Sequence, residues 1–216
     1  MYDNNTVDST IKGVIDTWYH DTILTNYATQ LEDTVFCNDR SVADAATTSQ
    51  IKTAWDFDPS DEMTFYGPTV RHFNGTPSLT CPSTTDAFTL PGNANGNGKL
   101  TYPVGLLTMD EIMLAGADNQ DRANRTYYLN NGMNWWSLSP VVFGDGYANV
   151  WYVAADGRLE YDFVDSEFGV RPVVSLKPGQ VFGYGNGSGT NPYRFVETIT
   201  PGSSNGSGGG GGKQEK

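Results

Sequence analysis

The chain is poor in the residues that carry most enzyme and metal chemistry. Its 216 residues include two cysteines, Cys37 and Cys81, and two histidines, His20 and His72. No CxxC occurs, so no zinc-binding spacing is present. Strong hydrophobes are also scarce: Leu, Ile, Val and Phe make up about a fifth of the residues, near the composition of disordered chains. No apolar run approaches the roughly 18 residues of a membrane helix, which excludes a bilayer-spanning segment of that kind and predicts no direct membrane insertion. Basic residues are few, 13 against 25 acidic, and the net charge is -12. Such a chain is a poor candidate for binding nucleic acid or anionic lipid, and those partners are set aside.

Aromatic residues supply what the aliphatics do not. Five Trp, 12 Tyr and 10 Phe provide large buried areas, so the chain is expected to fold, with much irregular structure around 25 Gly and 11 Pro. At this length one domain is the default. Two cysteines in a chain rich in Thr, Asn, Gly and Tyr fit one Cys37–Cys81 disulfide in an exported protein; two buried free thiols are the alternative. Met1-Tyr2-Asp3-Asn4 opens on polar residues rather than a signal peptide. An exported location then implies a fragment, or exit within a phage particle. Residues 201–216 read as a flexible Gly/Ser-rich tail or linker and are set apart from the fold.

Ile11, Val14, Ile15, Trp18 and Tyr19 recur at helical spacing, with Ser9 or Thr10 as N-cap. Ile23, Leu24, Tyr27, Ala28 and Leu31 suggest a further helical stretch, followed by a short strand at 35–37. Residues 38–99 lack periodicity and read as long ordered loops. Thr108-x-x-Glu111 is a capping box opening a short helix that Gly116 stops. Short strands are expected at 126–129, 135–139, 148–153, 158–163, 170–176 and 193–196, separated by turns at 130–132, 144–146 and 156–157. Helices followed by antiparallel strands predict an α+β fold.

Catalytic templates find no footing. Neither histidine lies beside a GxSxG-type turn, and no GxxxxGK[ST] or strand–GxGxxG–helix unit exists. The stretch Gly183-Tyr184-Gly185-Asn186-Gly187 reads as a hairpin loop. A glycosidase pair of carboxylates cannot be recognised without geometry. Asp56-x-Asp58-x-Ser60 begins like a calcium loop, yet Asp61 stands where Gly is needed and Gly67 where Glu is needed. Asp118-Asn119-Gln120-Asp121 offers further oxygens; solvated turns explain both stretches, and no metal or cofactor is expected. Residues 133–168 mix Tyr, Trp, Phe, Asp and Arg with small residues, as paratopes do. Trp135, Trp136, Val150 and Val153 read as core. Among Tyr161, Asp162, Phe163, Asp165 and Phe168 some must be exposed, because consecutive strand residues face opposite sides.

The run Tyr128-Leu129, Trp135-Trp136-Ser137-Leu138-Ser139-Pro140, Ala148-Asn149-Val150, Gly157 and Gly169-Val170-Arg171-Pro172-Val173-Val174-Ser175-Leu176 resembles the variable proteins of diversity-generating retroelements. Those proteins have a C-type lectin-like fold related to the formylglycine-generating enzyme. Phe36-Cys37-Asn38-Asp39-Arg40 and the stretches 100–105 and 106–116 look like a bacterial domain of unknown function that hosts such variable regions in gut bacteria and their phages. The resemblance covers about residues 9–200. It implies one domain of C-type lectin-like type, two helices bracing a small twisted antiparallel sheet with long loops, and a variable segment at about 134–172.

In that family, error-prone copying at adenines rewrites Asn codons into residues other than Glu, Gln, Lys, Met or Trp. The resemblance therefore implies that Trp151, Glu160 and Glu167 are fixed. The diversified, ligand-binding positions it implies are Asp145, Tyr147, Tyr152, Ala155, Asp156, Arg158, Tyr161, Asp162, Phe163, Asp165, Ser166 and Phe168, with Val141 and Val142 as further candidates. Tyr147, Tyr152, Tyr161 and Phe163 would anchor a protein or glycan ligand on another cell or host surface, while Asp145, Asp156, Asp162 and Arg158 would select it. The structured stretch 173–200 departs from the simplest members. Enzyme activity does not carry over, since nothing beyond Cys81 is Cys. The Glu-Pro-Asn, Gln-Pro-Asp and Trp-Asn-Asp tripeptides of calcium-dependent lectins are absent as well. The expectation is a non-enzymatic binding protein at the cell surface or on a phage particle. An invariant surface, pilus or tail module and a carbohydrate-active enzyme are the alternatives.

Overall fold

The computed structural model describes residues 7–117, 126–144, 146–188 and 190–195. The chain divides into two units, Met1–Lys177 and Pro178–Lys216.

In the first unit, helix α1 (Thr10–Trp18) starts where the Ser9 hydroxyl accepts the Lys12 N–H, as the N-cap reading predicts. Ile15 is buried and Ile11 and Trp18 pack beside it, but Val14 is 52% exposed, so the apolar stripe is narrower than the spacing suggested. A π-helical turn (Tyr19–Ile23) follows, closed by Leu24 N–H on the Tyr19 carbonyl at 2.9 Å. The helical stretch expected at 23–31 does not form. A 3₁₀ turn (Ala28–Gln30) leads instead into strand β1 (Leu31–Glu32), which buries Leu31. Strand β2 (Phe36–Cys37) lies where a short strand was expected.

The region 38–99 is more regular than its composition implies. It holds helix α2 (Ala45–Ala54), capped by Asp44 on the Thr47 N–H at 2.7 Å, and strand β3 (Met63–Phe65). Helix α3 (Gly67–Asn74) has Pro68 in its first turn, and strand β4 (Ala87–Phe88) pairs with β2. The Cys37–Cys81 disulfide pins the loop that precedes β4. Helix α4 (Met109–Leu114) carries the complete Thr108/Glu111 capping box, and Gly116 follows it at φ +112, a conformation that L side chains rarely adopt.

Strands β5 (Trp135–Gly144), β6 (Tyr147–Val153) and β7 (Leu159–Phe163) form an antiparallel sheet with β3 at its edge, in the order β3-β5-β6-β7. Pro140 cannot donate to a ladder, and the β5–β6 register shifts on both sides of it. Val141 and Val142 are consequently both buried on the same core. Around the bulge, Ser137 Oγ donates to the Trp151 carbonyl at 2.7 Å, Thr69 Oγ1 to the Val141 carbonyl at 2.9 Å, and Met109 N–H to Ser139 Oγ at 3.0 Å. The strand expected at 126–129 is a set of turns. Of the stretch 170–176 only strand β8 (Ser175–Leu176) is regular, paired with β1.

The sheet is covered on both faces. On one, Trp135, Val141, Trp151, Val153 and Leu159 pack with Ile51 of α2, Val70 and Phe73 of α3, and Met109 and Ile112 of α4. On the other, Trp136, Leu138, Val150 and Tyr152 pack with Ile15 and Tyr19, Leu31, Val104 and Leu106. The α+β class expected from the sequence is present, with four α-helices rather than two among the described residues. In the second unit, strands β9 (Phe182–Tyr184) and β10 (Arg194–Phe195) pair antiparallel across the Gly-rich segment.

Candidate functional site

The residues singled out between 145 and 168 lie on β6, β7 and their turns, and alternation along the strands divides them. Asp145 lies outside the described residues, as do Asp118–Asp121 and the tail 201–216.

Three of the aromatics point into the layers that flank the sheet. Tyr161 stacks on Trp55 at 5.5 Å and meets Trp151 edge-on at 6.0 Å. Tyr152 and Phe168 form a triangle with Trp136, with ring centroids 4.4 Å apart for Tyr152–Phe168 and 4.6 Å for Trp136–Phe168. Burial raises the Tyr152 phenol above its ordinary value, and the negative charges of Glu160 and Asp162 add to the effect. Val141 and Val142 are core residues.

At one end of the hairpin, Tyr147 and Phe163 meet edge to face, 5.5 Å apart at 88°. Phe163 is 48% exposed and Val164 59% exposed, and Asp165 is exposed beside them. The turn holding them is fixed by backbone bonds: Val164 N–H to the Ala148 carbonyl at 3.1 Å and Ser166 N–H to the Phe163 carbonyl at 3.0 Å. Asp162 Oδ1 accepts the Phe163 N–H at 2.7 Å. We call this end the tip.

At the other end, about 20 Å away along a strand of this length, the turn 154–158 carries Ala155, Asp156 and Arg158. Gly157 has φ +87 there, a conformation that L side chains rarely adopt. Ala155 N–H donates to Asn134 Oδ1 at 2.8 Å. Arg158 is held by Asp156 at 2.9 Å and Glu160 at 2.8 Å; the hydrogen bond to Asp156, then the charge of Glu160, raise its pKa.

The motif around the tryptophans is assembled in space. Trp136 N–H donates to the Gly169 carbonyl and Gly169 N–H to the Asn134 carbonyl, both at 3.0 Å. The Arg171 guanidinium lies 4.6 Å from the Trp135 ring centroid and donates to the Leu129 carbonyl. Leu129, Trp135-Trp136, Gly169 and Arg171 are thus tied to one another, while Tyr128 is exposed.

Three buried carboxylates were not anticipated from the sequence: Asp39, Asp86 and Asp110. Asp110 grips Arg71 through both oxygens at 2.6 and 2.7 Å, and Asp39 takes the third contact at 2.7 Å. Burial alone would lower the Arg71 pKa, but the bonds to Asp110 and Asp39 raise it. Asp86 binds Arg40 at 3.0 and 2.7 Å. Each acid is paired with an arginine, Asp39 and Asp110 sharing Arg71, which marks them as braces for 38–86. The Asp58 carboxylate, at the start of the stretch compared with a calcium loop, accepts the Ser60 hydroxyl and N–H, and these bonds lower its pKa. No cluster of three or more His, Cys, Asp or Glu suited to a metal occurs among the described residues, and no helix among them is long and apolar enough to cross a membrane.

No curated protein and no solved structure matches the chain. Over residues 97–178, the stretch that carries α4, the Trp135-Trp136 strand, the hairpin tip and Gly169–Pro172, the chain is similar to a family described as Domain of unknown function (DUF6273).

Proposed function

We propose that the chain is a ligand-binding protein of receptor or adhesin type that displays a diversified surface on a C-type lectin-like scaffold, at a cell surface or on a phage particle. One observation carries the reading: the tip presents Phe163 and Val164 to solvent beside the half-buried Tyr147, among Asp162, Asp165 and Ser166. Rigid aromatic anchors with small polar neighbours are the composition of a binding surface. The same strands bury Trp151, Val153 and Leu159 in the core, so the tip rests on a fixed base. Substitutions at exposed positions of this kind shift stability by only about 0.5 kcal/mol while altering what is bound.

On this reading Tyr147 and Phe163 anchor the ligand and Asp162, Asp165 and Ser166 select it. Asp156 and Arg158 form a separate patch. Tyr161 holds strand β7 from beneath, and Tyr152 and Phe168 pack on Trp136 toward the other end of the hairpin. The ligand is a protein or glycan on another cell or host surface, and no reaction follows. The disulfide supports export to an oxidising compartment.

Sequencing the DNA that flanks the gene tests the proposal. The expected result is a near-copy of the stretch encoding residues 135–172, differing at adenines, beside a reverse transcriptase, with mismatches at the codons of tip residues. Intact native flanks without such a copy would overturn diversification and leave an invariant surface module. Mismatches centred on the codons of Val153 and Leu159 would overturn the assignment of the tip.

A further inference from the structure

The second core is not closed. Between the first turns of α1 and the sheet lies a cavity of about 530 Å³, walled by Ile11 and Ile15 of α1, Phe36 and Phe88 of the β2–β4 pair, and Leu138 and Val150 of the sheet. Interiors pack with few voids larger than a water molecule, and sites for small molecules hold roughly 300–1,000 Å³. The cavity has the size of a ligand site and apolar walls. Ser137 also faces it, but its hydroxyl is committed to the Trp151 carbonyl at 2.7 Å. Ser9, Thr10 and Asn38 border the space as well, and a hydrocarbon body suits the apolar part of its walls.

The charge at the cavity gives the other end of the ligand. Lys12, Lys99 and Asp8 line it, in a chain of net charge -12. Two of the four lysines among the described residues therefore border this one space. Lys12 is paired with Asp16. Lys99 is exposed, and its ammonium makes no ion pair among the described residues. We infer that the cavity binds one molecule of a single-chain amphiphile with an anionic head, a medium-chain carboxylate, its hydrocarbon lying between α1 and the sheet and its carboxylate at Lys99. Val164 of the tip also borders the cavity, but the other walls are scaffold residues, and the inference does not rest on what the tip binds.

Calorimetric titration of the full chain with dodecanoate, and separately with dodecanol, both kept below their aggregation limits, tests it. Dodecanoate should bind one to one with a negative heat-capacity change. Lys99→Glu should weaken dodecanoate by about tenfold and leave dodecanol within about twofold, since only the charged head meets the substituted side chain. Ile11→Trp, which fills the cavity, should abolish binding of both. Absence of saturable dodecanoate binding would overturn the inference, as would equal affinity of the Lys99→Glu protein for dodecanoate. Both measurements stand even if the Ile11→Trp protein does not fold.

Discussion

Tyr161 lies flat against Trp55, ring centroids 5.5 Å apart and planes 16° from parallel. The contact fastens the edge strand β7 to the C-terminal end of α2, and it turns the alternating residues Glu160 and Asp162 away from that core. Tyr161 and Phe163 share a strand and sit two positions apart, yet one has an aromatic floor and the other stands half in solvent. Truncating them should separate the two roles. Tyr161→Ala is expected to lower unfolding free energy by about 2–3 kcal/mol, as loss of a partly buried aromatic does. Phe163→Ala should cost less than about 1 kcal/mol. Urea unfolding of the two variants against the parent checks this, and equal losses would place Phe163 in the core.

Arg71 is the single cation between Asp39 and Asp110, both buried. Arg71→Met keeps the length of the side chain and removes the charge, leaving two carboxylates unpaired in the interior. Breaking a buried pair from one side costs about 3–5 kcal/mol. The variant should therefore unfold at markedly lower urea, whereas Arg158→Met, whose partners are half exposed, should change stability by less than about 1 kcal/mol.

The disulfide spans 44 residues of sequence and joins β2 to the loop before β4. Closing a loop of that length constrains the unfolded chain, and the expected contribution is about 2–4 kcal/mol. Cys37→Ser with Cys81→Ser should reduce the unfolding midpoint by a corresponding amount. The effect should be indifferent to added reductant in the double variant and reproduced by reductant in the parent. A parent that resists unfolding equally in both conditions would mean that the bridge contributes nothing.

The parts of the fold legible in the sequence are those with local chemistry. Ser9 before Ile11 and Thr108 before Glu111 are backbone caps that need no tertiary partner, and both helices start where they indicate. Helices α2 and α3 were not legible because their stability comes from elsewhere. In α2 only Ile51 is buried, and the helix is held by Trp55 against β7 and Phe65 rather than by an apolar stripe of its own. Leu31 carried a helical spacing, but its strand pairs with Leu176, 145 positions away, and its side chain packs with Ile15 and Tyr19, partners that no local pattern reveals. At the site, alternation showed that some residues of 161–168 had to face solvent. It could not show which, because the sheet is covered on both faces and neither side is wet by default. The cavity beneath α1 left no sequence signal, since its walls are ordinary core residues.

Tyr127 is buried beside Arg171, and its hydroxyl has no hydrogen-bond partner among the described residues. Burial, opposed by the Arg171 charge, pushes its pKa up to about 12 from 10.0. The folded state thus holds the phenol proton more tightly than the unfolded state does. That contribution is fully present below pH 10 and is lost as pH rises through 12. Tyr19 and Tyr152 are raised by burial as well and act in the same direction. Stability should therefore fall between pH 10 and 12 more steeply than unperturbed tyrosines would make it. Tyr127→Phe removes the group without opening a cavity. At pH 7 it should be neutral or slightly stabilising, because it deletes an unpaired buried hydroxyl. In the alkaline range its stability should decline less steeply than that of the parent. Melting temperatures of both proteins from pH 8 to 12 decide the matter: parallel curves would show that Tyr127 ionises as freely in the folded protein as in the unfolded chain.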